Sequence, residues 1–158
     1  MNRHTAKQKF LREEFYALLK KLGSEQIPHF GIMTAQHMIE HLTWIIKSSA
    51  KYHENSEAEP SRSQLGFQKF IKKGAIFQHR PSGKTKADLP PLKYATYEEA
   101  LAQIPIAINR FYDHYEAMEI PKGYHPMMGE LTFEQIELFH YMHCRYHLWQ
   151  FGLLESYP

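Results

Sequence analysis

The chain has 158 residues, a formal net charge of +2 and an aromatic content of 14%, which suits one domain, residues 1–158, with a substantial core. Its near-balanced charge argues against nucleic acid as a partner, and it lacks the roughly 18-residue apolar run that a membrane span needs. A single cysteine, Cys144, excludes an internal disulfide framework. Because no signal-peptide pattern follows the charged N-terminus, these features predict a cytoplasmic protein without membrane association.

Helical spacing of apolar residues dominates the first third of the chain. A stripe over residues 10–22 predicts a first helix, and Thr34 is the expected N-cap of a second helix that runs to about Tyr52. Within this second helix, His37 and His41 stand four residues apart, and His41 lies in the arc of apolar residues that should face the core. An inward histidine is costly unless it is paired or ligated, which favours a functional role for His41.

Residues 54–95 have a different composition, rich in proline and glycine, with at most a short helix around residues 64–73. We interpret this segment as a long crossover between the second and third helices, and long connections of this kind are often functional. The crossover is also basic. A solvated loop explains this charge, and the alternative is that the crossover binds nucleic acid or an anionic ligand. Lys72 and Lys73 are the candidate contacts for an anionic substrate or a carboxylated thiol.

Two capping-box patterns mark the remaining helices. Thr96 with Glu99 opens a third helix, and Thr132 with Gln135 opens a fourth that ends near Gly152. No segment has a convincing strand pattern. The sequence therefore predicts an all-α four-helix bundle.

The last predicted helix carries histidines at positions that suit a metal site. His143 and His147 are four residues apart and can aim their ring nitrogens at one point, and His41 or His37 of the second helix can supply a third nitrogen. Three imidazoles that leave one position open suit zinc, nickel or iron(II). His140 is a further candidate ligand. The alternative interpretation is that these histidines are packed core residues.

The turn before the last helix contains a second candidate, in the sequence His125-Pro126-x-x-Gly129. Proline and glycine at these positions are consistent with turn geometry alone. His125 is otherwise the candidate catalytic residue, because from this turn it can reach the mouth of the metal site as a general acid or as a hydrogen-bond donor to substrate.

Three motifs in this order resemble the DinB/YfiT-like superfamily of metal-dependent enzymes. The resemblance covers most of the chain from the second helix onward. The motifs are Thr34-Ala-Gln-His-Met-Ile-Glu-His41-Leu, His125-Pro-Met-Met-Gly129-Glu-Leu-Thr132 and His143-Cys-Arg-Tyr-His147-Leu-Trp-Gln150-Phe-Gly.

The resemblance implies a fold, a site and a class of activity. It implies a four-helix bundle with an up-down-down-up arrangement, often dimeric, and a divalent metal held by His41, His143 and His147. Superfamily members often have a histidine immediately before the final ligand, where this chain has Tyr146. Known activities include transfer of low-molecular-weight thiols such as bacillithiol and thiol-dependent isomerisation of maleylpyruvate.

These observations predict a metal-dependent enzyme that acts on a small-molecule substrate. A metal held by neutral imidazoles would activate either a thiol, for S-transfer, or a water, for hydrolysis, and the sequence does not choose between them. The alternative is a non-catalytic, stress-related metal-binding protein. A buried fourth ligand such as His37 would favour that alternative.

Overall fold

A computed structural model describes residues 4–51, 59–73, 77 and 83–157 of the chain. The described part is mostly helical, and its first helix, α1, contains a π-helical stretch in its middle. Tyr52, the expected end of the second helix, and part of the crossover lie outside the described residues. The helices are α1, formed by Ala6–Lys9, Phe10–Glu14 and Phe15–Leu19; α2, Ala35–Ser49; α3, Arg62–Lys73; α4, Tyr97–Glu116; and α5, Phe133–Gln150, with a 3-10 turn at Lys86–Asp88.

Three threonines fix where the long helices begin. The side chains of Thr34, Thr96 and Thr132 each accept a hydrogen bond from the backbone N–H three residues further on, at 3.1, 3.1 and 3.2 Å. The predicted capping box is complete at Thr132. At Thr96, the carboxylate of Glu99 instead accepts from the backbone N–H of Ala95. The predicted starts of all three helices are confirmed.

A small antiparallel hairpin precedes α5, and the expectation of no strand was wrong for this segment. Strand β1, Lys122–His125, pairs with β2, Gly129–Thr132, with His125 opposite Gly129. Strands of four residues are too short for a clear period-two pattern, so the sequence signal is confined to the turn. There Gly129 has a φ of 76°, in the left-handed region that glycine adopts most readily.

The core lies between the long helices, with α2 packed along α4, and α5 in contact with α1, α2 and α3. Buried polar contacts also join these elements. The hydroxyl of Tyr112 on α4 donates to the carboxylate of Glu137 on α5 at 2.7 Å, and the hydroxyl of Tyr115 donates to the carbonyl of Ser49. The first contact joins α4 to α5, and the second joins α4 to α2. None of the described helices is long and apolar enough to cross a lipid bilayer.

Candidate metal centre

Three histidines from two helices meet in the interior. The Nε2 atom of His143 lies 3.3 Å from Nε2 of His41 on α2 and 3.1 Å from Nε2 of His147, one turn along α5. One nitrogen of each residue lies within 4.8 Å of the others. We call this group the histidine cluster. Of the histidines, cysteines and carboxylates among the described residues, these three histidines lie close enough together to hold a metal ion.

The histidine cluster is electrically neutral because it is removed from water. His143 and His147 are only 6% and 5% exposed, and His41 is partly buried. Desolvation lowers the pKa of all three imidazoles, with proximity to one another as a further cause at His143 and His147, and the pKa of His147 falls to about 4. Neutral imidazole is the form that ligates a metal, so the site needs no proton loss near neutral pH.

Gln150 fixes the tautomer of His147. Its amide Nε2 donates to the carbonyl of Phe30 at 3.0 Å, so its Oε1 is left to accept the Nδ1–H of His147 at 2.7 Å. The proton of His147 therefore lies on Nδ1, and the lone pair of Nε2 faces the histidine cluster. The side chain of Gln150 therefore contacts both the backbone of Phe30 and the ring of His147. Its position three residues after His147 is the signal for the second one.

The loop before α2 passes close to the side chain of Gln150 at Gly31. Gly31 has a φ of 83°, and a Cβ at this position would lie 2.8 Å from the Nε2 of Gln150. In the same loop, the backbone N–H of His29 donates to the carbonyl of Gln150 at 2.8 Å. A larger residue at position 31 would displace the amide of Gln150 and would be strained at this φ, so Gly31 supports the orientation of Gln150.

His37 does not join the histidine cluster. Its Nδ1 lies 2.6 Å from the hydroxyl of Thr34, and its Nε2 lies 3.0 Å from the carbonyl of Pro90. The carbonyl can only accept, so Nε2 carries the proton and Nδ1 accepts from the hydroxyl. Both nitrogens are occupied, and His37 instead joins the start of α2 to the segment before α4.

His140 is buried beside the histidine cluster, but like His37 it bonds a partner outside that cluster. Its Nε2 lies 2.6 Å from the hydroxyl of Ser49, which in turn donates to the carbonyl of Ile46 at 2.8 Å. His140 therefore donates from Nε2, and burial together with nearby His125 lowers its pKa to about 3. We conclude that His140 is a neutral core residue outside the group of converging nitrogens.

A cavity of about 540 Å³ opens next to the histidine cluster. His41 and His143 form part of its wall, and so does Phe77, whose ring stacks on that of His143 at 4.8 Å between centroids. Sequence reasoning missed Phe77, because an isolated aromatic in a proline- and glycine-rich segment gives no periodic signal. We call this space the apolar cavity. The volume is within the range of about 300–1,000 Å³ that is typical of ligand pockets.

His125 lies at the end of β1 and lines the apolar cavity. The backbone N–H of Met127 donates to its Nδ1 at 3.0 Å, so in the neutral ring the proton lies on Nε2. Burial lowers the pKa of His125 to about 4, and its ring lies 4.8 Å from that of Phe139. His125 is therefore a neutral hydrogen-bond donor at this wall.

A second cavity, of about 490 Å³, shares His41 and Trp44 with the apolar cavity. This cavity carries charged side chains, namely Glu40, Lys47 and Lys93. Lys72 and Lys73, the crossover lysines considered for an anionic ligand, are exposed at the end of α3 and line neither cavity.

The donor set of the histidine cluster fits a divalent metal. Zinc with bonds of about 2.05 Å in tetrahedral geometry holds neighbouring nitrogens about 3.3 Å apart. The two measured separations between Nε2 atoms, 3.3 and 3.1 Å, agree with that value. Among the described residues no fourth protein ligand joins the three nitrogens. Three protein ligands is also the number found in catalytic zinc sites.

The fold and this site define a mostly helical protein with a buried cluster of three histidines that could bind a metal ion. Residues 11–152 match the family described as "Protein of unknown function (DUF1569)", and the chain belongs to that family. No curated protein and no solved structure matches the chain.

Proposed function

We propose that this protein is a metal-dependent enzyme of the thiol S-transferase or hydrolase type, acting on a small-molecule substrate. The observation that carries the proposal is the convergence of three Nε2 atoms at the wall of a cavity large enough for a ligand. His41, His143 and His147 would hold zinc, nickel or iron. Two of these histidines, His41 and His143, also line the apolar cavity, so a substrate there would lie beside the metal.

A divalent metal at this site would supply Lewis acidity, which lowers the pKa of a water or a low-molecular-weight thiol such as bacillithiol into the neutral range. The chain's own residues prepare the site for it. Gln150 holds the lone pair of His147 in the direction of the histidine cluster, and such supporting contacts commonly contribute about 10–100-fold to metal affinity. The apolar wall excludes water and strengthens polar interactions inside.

His125 is the proposed catalytic residue, as a donor and not as a base. Its Nδ1 is occupied by the backbone N–H of Met127, so the group that it presents is Nε2–H. A neutral imidazole donor can stabilise negative charge that develops on a substrate atom.

The ligand count supports an enzyme over a non-catalytic metal-binding protein. A saturated structural site would have a fourth protein ligand, and His37 was the expected one. His37 has other partners for both nitrogens. A three-nitrogen site leaves room for a substrate or a water.

The resemblance to the DinB/YfiT-like superfamily supports the same proposal. We infer that the long helices α1, α2, α4 and α5 form an up-down-down-up bundle as one domain, and that the protein acts as a homodimer. Tyr146 stands where superfamily members often have a histidine, and its ring packs 5.1 Å from that of His147, so its role would be apolar contact.

Metal analysis followed by an activity screen tests the proposal. Untagged protein, purified without chelator and incubated with zinc, nickel or iron(II), should retain about one metal per chain. The loaded protein should then react a thiol with an electrophile, or hydrolyse an ester, faster than the metal-free protein and faster than loaded His125→Ala. Folded protein that retains no metal would exclude a metalloenzyme, and equal rates for loaded and metal-free protein would exclude metal-dependent catalysis.

A further inference from the structure

The wall of the apolar cavity carries no charged side chain among the described residues, although it adjoins the proposed metal site. Its polar members are histidines, two serines and a tyrosine, and its other members are apolar, including Trp44, Ile45 and Phe139. Away from the proposed metal, an ionised group that entered this space would lose its hydration without gaining a protein side chain of opposite charge among the described residues. The described wall therefore disfavours a charged group on the part of a ligand that lies away from the metal.

Charged groups line the neighbouring second cavity instead, namely Glu40, Lys47 and Lys93. The Oε1 atom of Glu40 accepts the backbone N–H groups of Lys93 and Tyr94, while its Oε2 atom is buried without a hydrogen-bond partner among the described residues. The two cavities share His41 and Trp44 and differ in polarity, so a ligand of the apolar cavity is selected separately from any charged ligand of the second.

Polar recognition inside the apolar cavity depends on what its histidines and hydroxyls have left to offer. The hydroxyl of Ser49 donates to Ile46 and accepts from His140, so its proton is already used. His125 carries its proton on Nε2, because its Nδ1 accepts from the backbone of Met127. The wall thus provides a neutral donor, which calls for an acceptor such as a carbonyl or ether oxygen on the ligand.

We propose that the apolar cavity binds a neutral, largely apolar molecule that carries a hydrogen-bond acceptor. This inference rests on the proposed function, where the molecule would be the electrophile or the hydrolysed substrate. It names a substrate class opposite to the anionic one that the basic crossover suggested.

Two dyes with the same rings and different charge test this inference. 6-Propionyl-2-dimethylaminonaphthalene is neutral and carries a ketone oxygen as acceptor, and 6-dimethylaminonaphthalene-2-sulfonate has a sulfonate in place of the propionyl group. Fluorescence titrations of the metal-free protein, in which the uncharged wall alone acts on the ligand, should show one molecule of the neutral dye per chain, bound at least tenfold more tightly than the sulfonated dye. Equal or tighter binding of the sulfonated dye would overturn the proposal.

Matched variants locate the bound dye. Ile45→Trp adds bulk to the wall of the apolar cavity and should weaken binding of the neutral dye at least tenfold. Ile106→Trp makes the same change on α4, at a residue that is 54% exposed and outside that wall, and should leave binding unchanged. An equal loss in both variants, or none in Ile45→Trp, would show that the dye binds elsewhere and would overturn the proposal.

A second variant covers the case in which Ile45→Trp does not fold. Trp44 is 66% exposed and lines the cavity, so Trp44→Ala removes apolar wall with little effect on the core. It should weaken the neutral dye about threefold or more, and unchanged binding would count against the proposal. Zinc binding is measured on the same samples by elemental analysis. Dye binding without zinc binding would contradict the proposed metal-dependent enzyme and would support the proposed ligand of the apolar cavity. Zinc binding without dye binding would contradict only the proposed ligand of the cavity.

Discussion

Two pairs of histidines with the same four-residue spacing have different roles in this protein. In α5, His143 and His147 both point their Nε2 atoms into the histidine cluster, 3.1 Å apart. In α2, His41 does the same, but His37 bonds Thr34 and the carbonyl of Pro90 instead. Spacing puts both members of a pair on one face of a helix, and it says nothing about which nitrogens remain free.

The difference follows from what surrounds each ring. His37 stands in the first turn of α2, where the capping hydroxyl of Thr34 and the chain before α4 supply a donor and an acceptor. His147 stands near the end of α5, where Gln150 takes its Nδ1–H and leaves Nε2 free. A neighbouring hydrogen-bond group can therefore remove a histidine from a metal site or prepare it for one.

The largest expected effect is on zinc binding, and it distinguishes a residue of the histidine cluster from His37. His143→Ala should reduce bound zinc from about one equivalent to nearly none, because it removes the nitrogen that lies close to both other ligands. His37→Ala should keep the full equivalent. Elemental analysis after dialysis measures both, with circular dichroism to verify folding. If His37→Ala loses zinc to the same extent, the division between the two pairs is wrong.

A weaker effect is expected at the residue that prepares His147. Gln150→Leu keeps the size of the side chain but removes the acceptor for Nδ1–H, and should weaken zinc binding about 10–100-fold. Gln150→Glu keeps an acceptor and should retain most of the affinity, although it loses the donor to Phe30. Competition with a chromophoric chelator measures both constants. Equal losses in the two variants would mean that Gln150 acts through the Phe30 contact and not through the tautomer.

The sequence predicted the parts of this fold that depend on local chemistry. Thr34, Thr96 and Thr132 cap helices where expected, since a hydroxyl followed by a helical stripe is a local signal. Spacing and helix pairing predicted that His41 or His37 would lie near His143 and His147, and the family resemblance implied His41. The four-residue strands of the hairpin were not, because they are too short for a periodic pattern.

What the sequence left open at the site depends on contacts between distant segments. His37 could not be separated from His41 until Pro90 was found beside it. The contact of Gln150 with Phe30 joins residues at opposite ends of the chain, and it determines the orientation of the amide. The apolar cavity combines α2, the hairpin, α5 and Phe77, so the uncharged character of its described wall could not be derived from any single segment.

The smallest expected effect concerns stability and not metal binding. Thr34→Ala removes the N-cap of α2 and should lower the free energy of unfolding by about 1 kcal/mol, with a further loss because Thr34 also holds Nδ1 of His37. Thr96→Ala removes the N-cap of α4, which has no histidine partner among the described residues. The difference between the losses of unfolding free energy in the two variants, measured by urea unfolding, therefore gives the contribution of the contact between Thr34 and His37. Zinc affinity should stay unchanged in both. A fall in zinc affinity with Thr34→Ala as large as that with Gln150→Leu would mean that the start of α2 is coupled to the histidine cluster through His41, which would make His37 part of the site's support.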